Sequence, residues 1–158
     1  MYGSAPGKNE DQVVVFGLHD QLYGVSIAST LEIIRVESET KVPGSPDFIE
    51  GIINLRGRVI PVMDLCKRFG LPDSGVSERS RVIIVESGGV TLGVKVDFVS
   101  EVMRLPSSGI EPLPNVFAGT GSNALSGVAM VGDRLIILVD MEKLLIDVER
   151  QELLELGQ

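Results

Sequence analysis

Short apolar runs bounded by turn residues, rather than helical stripes, set the rhythm of this chain. Residues 13–18 and 22–27 are largely aliphatic stretches on either side of His19-Asp20-Gln21, the pattern of two strands joined by a tight turn. Residues 81–86 and 90–96 repeat it around Ser87-Gly88-Gly89. After each hairpin comes about one helical turn, at 28–31 and 97–100, and then a further strand, at 32–36 and 101–105. A second hairpin follows in each half: 51–55 with 58–63 around Arg56-Gly57, and 127–131 with 135–139 around Gly132-Asp133. Predicted helices are few. One spans 64–69, and a longer one spans 140–154, with Leu144, Leu145, Val148 and Leu153 largely on one face. Asp140 suits its N-cap, because a carboxylate there accepts a bond from an orphan backbone amide.

The two halves are copies of one unit. A shift of 69 places lays Val13-Val14-Val15-Phe16 on Val82-Ile83-Ile84-Val85, and Glu32-Ile33-Ile34-Arg35-Val36 on Glu101-Val102-Met103-Arg104-Leu105. A shift of 76 lays Arg58-Val59-Ile60 on Arg134-Leu135-Ile136, and Val62-Met63-Asp64 on Leu138-Val139-Asp140. A loop absorbs the difference between the shifts. The copies run from about 11 to 72 and from 78 to 147, within a single domain covering 1–158. Five short strands per copy predict a small closed barrel, which hides edges that would pair with other chains. The expected fold is mainly β: two five-stranded barrels packed together, with short helices and a C-terminal helix. The stretches 43–46, 72–77 and 112–123 read as loops.

Charge and composition narrow the function. The net charge of -8 and the lack of a basic stripe interleaved with aromatics argue against nucleic acid. The first twelve residues lack the charged start and apolar stretch of a signal peptide, and no apolar run approaches ~20 residues, so a cytoplasmic protein without membrane insertion is expected. With Cys66 and His19 each alone of their kind, the sequence offers no soft-ligand set for a structural metal, and no cofactor is expected.

Candidate chemistry is sparse. His19 beside Asp20 reads as a solvated turn residue, Cys66 as a small apolar core residue, and Asp64 and Asp140 as helix caps at equivalent places in the copies. Gly119-Thr120-Gly121 has no following lysine and is no phosphate loop. Gly24 and Gly93, at matching places in strands, point to close backbone approach. An enzyme using a barrel cleft would have His19, Asp20 and Asp64 as its first candidates. The feature that stands out is Asn54-Leu55-Arg56-Gly57-Arg58, a hairpin tip with two arginines, the side chain best suited to bidentate pairing with carboxylates at a protein interface.

At these residues the chain resembles the CheW family of chemotaxis coupling proteins, from about Val13 to Leu145. The resemblance rests on Tyr23-Gly24-Val25 leading to Leu31-Glu32-Ile33, on Phe48-Ile49-Glu50-Gly51 running into Asn54-Leu55-Arg56-Gly57, and on Val59-Ile60-Pro61-Val62-Met63-Asp64-Leu65. It continues through Leu92-Gly93-Val94 and Gly132-Asp133-Arg134-Leu135 to Glu142-Lys143-Leu144-Leu145. It implies two SH3-like β-barrels, intertwined, and a non-catalytic scaffold. The implied partners are the regulatory domain of the histidine kinase CheA and the cytoplasmic helical tip of methyl-accepting chemotaxis receptors, to whose membrane arrays the scaffold is recruited. Carried over by position, Glu32, Asn54, Leu55, Arg56, Gly57 and Arg58 fall in the kinase-contacting region, and Ile33, Arg56, Val99 and Val102 on the receptor side. Thr30 departs from the pattern, standing where several relatives have an apolar residue. The regulatory domain of a larger kinase, or a coupling domain fused to a receiver, would carry the same fold.

Overall fold

The computed structural model describes residues 12–106, 109–113 and 124–155; Gly119-Thr120-Gly121 and most of the expected loop at 112–123 lie outside them. Among the described residues eleven strands run in chain order as β1 (Gln12–Leu18), β2 (Gln21–Ser26), β3 (Thr30–Arg35), β4 (Gly51–Leu55), β5 (Arg58–Asp64), β6 (Arg81–Ser87), β7 (Val90–Val96), β8 (Phe98–Arg104), β9 (Ile110–Glu111), β10 (Leu125–Val131) and β11 (Arg134–Val139). The described residues also form two α-helices, α1 (Leu65–Arg68) after β5 and α2 (Asp147–Glu155), and short 3-10 turns.

The strands form a six-stranded sheet, β8-β1-β2-β11-β10-β9, and a five-stranded sheet, β3-β6-β7-β5-β4. All pairings are antiparallel except β2 with β11 and β7 with β5. Neither copy of the repeat builds a sheet alone. The β1–β2 hairpin of the first copy joins β8, β10 and β11 of the second, while β6–β7 joins β3, β4 and β5 of the first. The exchange follows from the two apolar faces of the hairpin strands. On β1, Val14, Phe16 and Leu18 enter the large core, and Val13 and Val15 enter a second cluster with Leu105, Ala129, Ile136 and Leu138. On β6, Ile83 and Val85 join the same large core, and Val82 and Ile84 join a third cluster with Ile53, Ile60 and Val62. A strand buried on both faces reads as a continuous apolar run, which is why residues 13–16 and 82–85 hardly alternate.

Each copy thereby contributes to both small cores and to the shared one between the sheets. The parallel pairings bring Leu138 opposite Gly24 and Val62 opposite Gly93, the two glycines of the matching strand positions. A Cβ on Gly93 would lie 2.8 Å from Val82 Cγ1, and one on Gly24 3.2 Å from Leu138 Cδ2. The closest backbone approaches also repeat. A Cβ on Gly51 would meet the Thr40 carbonyl oxygen at 2.9 Å, and one on Gly127 the Glu111 oxygen at 2.8 Å. Glu111 belongs to β9 and pairs with Val128, whereas its counterpart is a single bridge between Thr40 and Ile52. Gly51→Ala is therefore expected to cost about 1–3 kcal/mol, seen as a lower urea midpoint with an unchanged denaturant slope.

Two expected helical segments differ in the structure. Residues 27–29 form a 3-10 turn near the expected place, but 97–100 are not helical, because β8 starts at Phe98. The cause is Gly17: the Phe98 ring occupies the space a Cβ there would fill, and the Asp97 N–H donates to the Gly17 carbonyl at 3.0 Å. The expected helix at 140–154 divides into a 3-10 turn at Met141–Lys143 and the later α2. Here the carbonyls are claimed by side chains. Ser87 donates its hydroxyl to the Met141 oxygen at 2.5 Å, Arg68 donates to the Leu144 oxygen at 3.0 Å, and Arg150 to the Leu145 oxygen at 3.0 Å. Leu144, Leu145 and Leu153 are buried as expected, while Val148 is exposed. No helix among the described residues is long and apolar enough to cross a membrane.

Candidate functional site

The β4–β5 hairpin turns through two residues, Arg56 and Gly57, with φ of 52° and 86°. Two consecutive left-handed residues suit the right-handed twist of the flanking strands, and Asn-Gly is the usual choice. An arginine in that conformation costs about 1–2 kcal/mol, and the corresponding residue of the second copy is Gly132, with φ of 64°. Asn54 supports the turn by accepting the Gly57 N–H on Oδ1 at 2.8 Å.

From this tip the Arg56 guanidinium reaches Glu32 on β3 with both terminal nitrogens, Nη1 donating to Oε2 at 3.1 Å and Nη2 to Oε1. β3 and β4 are the outermost strands of the five-stranded order, so this pair spans the two ends of the sheet and closes it over the core of Ile53, Ile60 and Val62. The Arg56 side chain is 70% exposed. The hydrogen bond from Arg56 holds the Glu32 carboxyl below its ordinary range, and the same contact raises Arg56. Leu55 packs partly into the core beneath, and Arg58 turns away to donate to Thr91 Oγ1 at 3.1 Å.

Glu32, Asn54, Leu55, Arg56 and Gly57 thus converge where the Arg56–Glu32 pair joins the two edge strands of the five-stranded sheet, with Arg58 beside them. The residues expected on the receptor side are divided. Ile33 lies next to Glu32 on β3 and is exposed, whereas Val99 and Val102 stand on β8, in the other sheet. Val102 is exposed and Val99 packs partly against the large core. The Thr30 hydroxyl donates to the Ser26 carbonyl at 3.2 Å, a local tie.

Sequence reasoning passed over several surface residues. Leu31 and Val59 are exposed large apolar side chains, Leu31 beside Glu32 and Val59 opposite Asn54. The second copy has a related surface, with Met130 opposite Leu135, both exposed, and an Arg134–Glu101 pair at 3.4 Å. Its signal was present in the repeat, since the shifts that superpose the copies carry Glu32 to Glu101 and Arg58 to Arg134.

The enzymatic candidates have other tasks. Asp64 caps α1, accepting the Cys66 and Lys67 N–H groups at 2.9 and 3.4 Å, and Asp140 caps the later 3-10 turn through Glu142 at 3.0 Å. The His19 ring contacts the Pro72 carbonyl through Nε2 at 2.7 Å, and Asp20 is exposed beside it. Cys66 is buried in the large core, and burial pushes its thiol up to about 11, the opposite of an activated nucleophile.

Comparison with known proteins agrees with this architecture. The family model described as the CheW-like domain matches residues 12–149. The chain is 35% identical to chemotaxis protein CheW of Klebsiella aerogenes, over 85% of this chain and 81% of that protein. It is 32% identical to chemotaxis protein CheW of Treponema pallidum, over 92% of this chain and 88% of that one. The crystal structure of the scaffolding protein TtCheW from Thermoanaerobacter tengcongensis superposes with a TM-score of 0.77 at 40% identity, covering 87% of this chain and 98% of that one.

Proposed function

The chain belongs to the CheW-like domain family, and from that premise we propose that it is a non-catalytic scaffold coupling methyl-accepting chemoreceptors to the histidine kinase CheA. The observation that carries this reading is the hairpin tip. An exposed guanidinium is held in a left-handed backbone conformation and aimed by Glu32, with Leu31, Ile33 and Val59 exposed on the two segments that bear the pair. Strained residues persist where function requires them, and exposed apolar side chains around an arginine have the composition of a protein-binding surface.

On this reading Glu32, Asn54, Leu55, Arg56, Gly57 and Arg58 face the regulatory domain of the kinase, and Ile33, Arg56, Val99 and Val102 face the receptor tip. The tip is an amphipathic helical hairpin, which binds by laying apolar side chains against an apolar groove. The protein works from the cytoplasm and joins receptor arrays through these contacts. Binding without turnover is supported by the occupation of Asp64 in capping and by the protonated, buried Cys66. Relatives matched over most of their length are named for chemotaxis and none of these names is that of a kinase, which favours a scaffold over a kinase's regulatory domain.

Calorimetric titration with the regulatory domain of the chemotaxis kinase from the same cell tests the proposal. Saturable binding near one to one is expected, with a receptor-tip fragment binding the resulting complex. Absence of heat at high concentration of every such kinase domain would return the chain to the regulatory-domain or enzyme readings.

A further inference from the structure

We propose that His19, Cys66 and Asp97 form a binding site for a borderline-soft divalent cation, with Zn2+ as the fitting ion. These include the chain's single histidine and single cysteine, which the sequence sets far apart. Folding brings the β1–β2 turn, α1 and the residue between β7 and β8 together, so that one ligand atom from each of the three side chains lies within 4.8 Å of the others. Zn2+ binds sulfur at ~2.3 Å and imidazole or carboxylate at ~2.0–2.2 Å, which puts ligand atoms ~3.3–3.6 Å apart around a tetrahedron. At the widest separation, closing on the ion requires ~1.2–1.5 Å of approach by the exposed His19 and half-buried Asp97 side chains.

The surroundings orient the three groups as supporting contacts orient metal ligands. His19 Nε2 meets the Pro72 carbonyl oxygen at 2.7 Å, a contact that requires the proton on Nε2 and leaves the Nδ1 lone pair for an ion. A ligating histidine commonly gives its other ring N–H to a carbonyl in this way. Asp97 Oδ2 accepts the His19 backbone N–H at 2.6 Å, and Oδ1 accepts the Ser74 hydroxyl at 2.5 Å. That hydroxyl also lies 3.7 Å from Cys66 Sγ. Three protein ligands leave a fourth position for water.

The repeat supplies an internal control. At the positions related to His19, Cys66 and Asp97, the other copy holds Gly88, Glu142 and Ala28. The ligand set is therefore no by-product of the duplicated architecture. An ion here would tie two segments of the first copy to one of the second. The core is complete without it, so folding proceeds in chelator and added metal stabilises.

The test starts from metal-free full-length chain, titrated with zinc sulfate by calorimetry and with cobalt chloride by visible absorption. One ion per chain is expected, with the Cys66 thiol proton released to the buffer as the sulfur binds, and with a thiolate-to-cobalt charge-transfer band. At about 100 times the dissociation constant, zinc should raise Tm by ~5–10 °C. His19→Gly removes a ligand at an exposed turn where the other copy already uses glycine, and should weaken zinc binding at least tenfold while leaving the metal-free Tm within a few degrees. Cys66→Ala should abolish the charge-transfer band. Absence of that band in the wild type, or undiminished zinc binding by His19→Gly, would overturn the site; if Cys66→Ala does not fold, His19→Gly alone decides.

Discussion

Replacing Glu149 by alanine is expected to lower the unfolding free energy by about 3–5 kcal/mol, the largest effect foreseen for a side chain outside the apolar cores. The Arg68 side chain is 5% exposed and donates to Glu149 through both terminal nitrogens, at 2.7 and 2.6 Å. Removing Glu149 leaves a buried guanidinium with the Leu144 carbonyl and the face of Phe48 as its remaining partners. Desolvation of an unmatched charge is the dominant cost. Glu149 also accepts the Ile146 N–H at 3.0 Å, at the start of α2, so the variant loses an end contact of that helix. Glu149→Gln keeps an acceptor but not the charge and should fall between alanine and wild type. Urea denaturation measures the difference, and a loss below about 1 kcal/mol would mean that α2 contributes little to global stability.

A chain carrying Arg56→Glu is expected to unfold at a urea midpoint close to that of the wild type and to bind the kinase regulatory domain about 100-fold more weakly. The two effects separate because the Arg56–Glu32 pair is open to water in the free protein, where ion pairs contribute little. In a desolvated interface the same guanidinium is worth much more, and reversal sets two carboxylates side by side. Glu32 is held below its ordinary pKa by Arg56, so the pair's contribution is present above the ordinary glutamate range and is lost as pH falls through the depressed value. Binding should then be flat between about pH 6 and 8. Titration calorimetry with matched unfolding curves checks both halves. Wild-type affinity in a folded Arg56→Glu chain would remove this tip from the interface.

Much of the fold was legible residue by residue, because its signals are local. β4 and β5 begin where expected, since Arg56-Gly57 and the apolar runs beside it specify a two-residue hairpin. Asp64 and Asp140 cap as expected, since a carboxylate before a helical turn meets unpaired amides whatever surrounds it. The two shifts that superpose the halves likewise marked the matching glycines. Where tertiary contacts compete, local reading failed. Phe98 prefers the slot above Gly17 to a helical turn, and side-chain bonds to the carbonyls of Met141, Leu144 and Leu145 interrupt the C-terminal helix.

By itself, then, the sequence determined ten of the eleven described strands, β9 being the exception, together with the hairpin turns and caps, the duplication, and the tip residues by which the chain resembles its family. Only the tertiary structure decided which hairpin enters which sheet, because β1 and β6 are apolar on both faces and periodicity cannot choose their partners. It alone paired Arg56 with Glu32 across the sheet ends and gathered His19, Cys66 and Asp97 at one place. Such meetings depend on burial summed over segments far apart in the chain, which no local pattern of residues encodes.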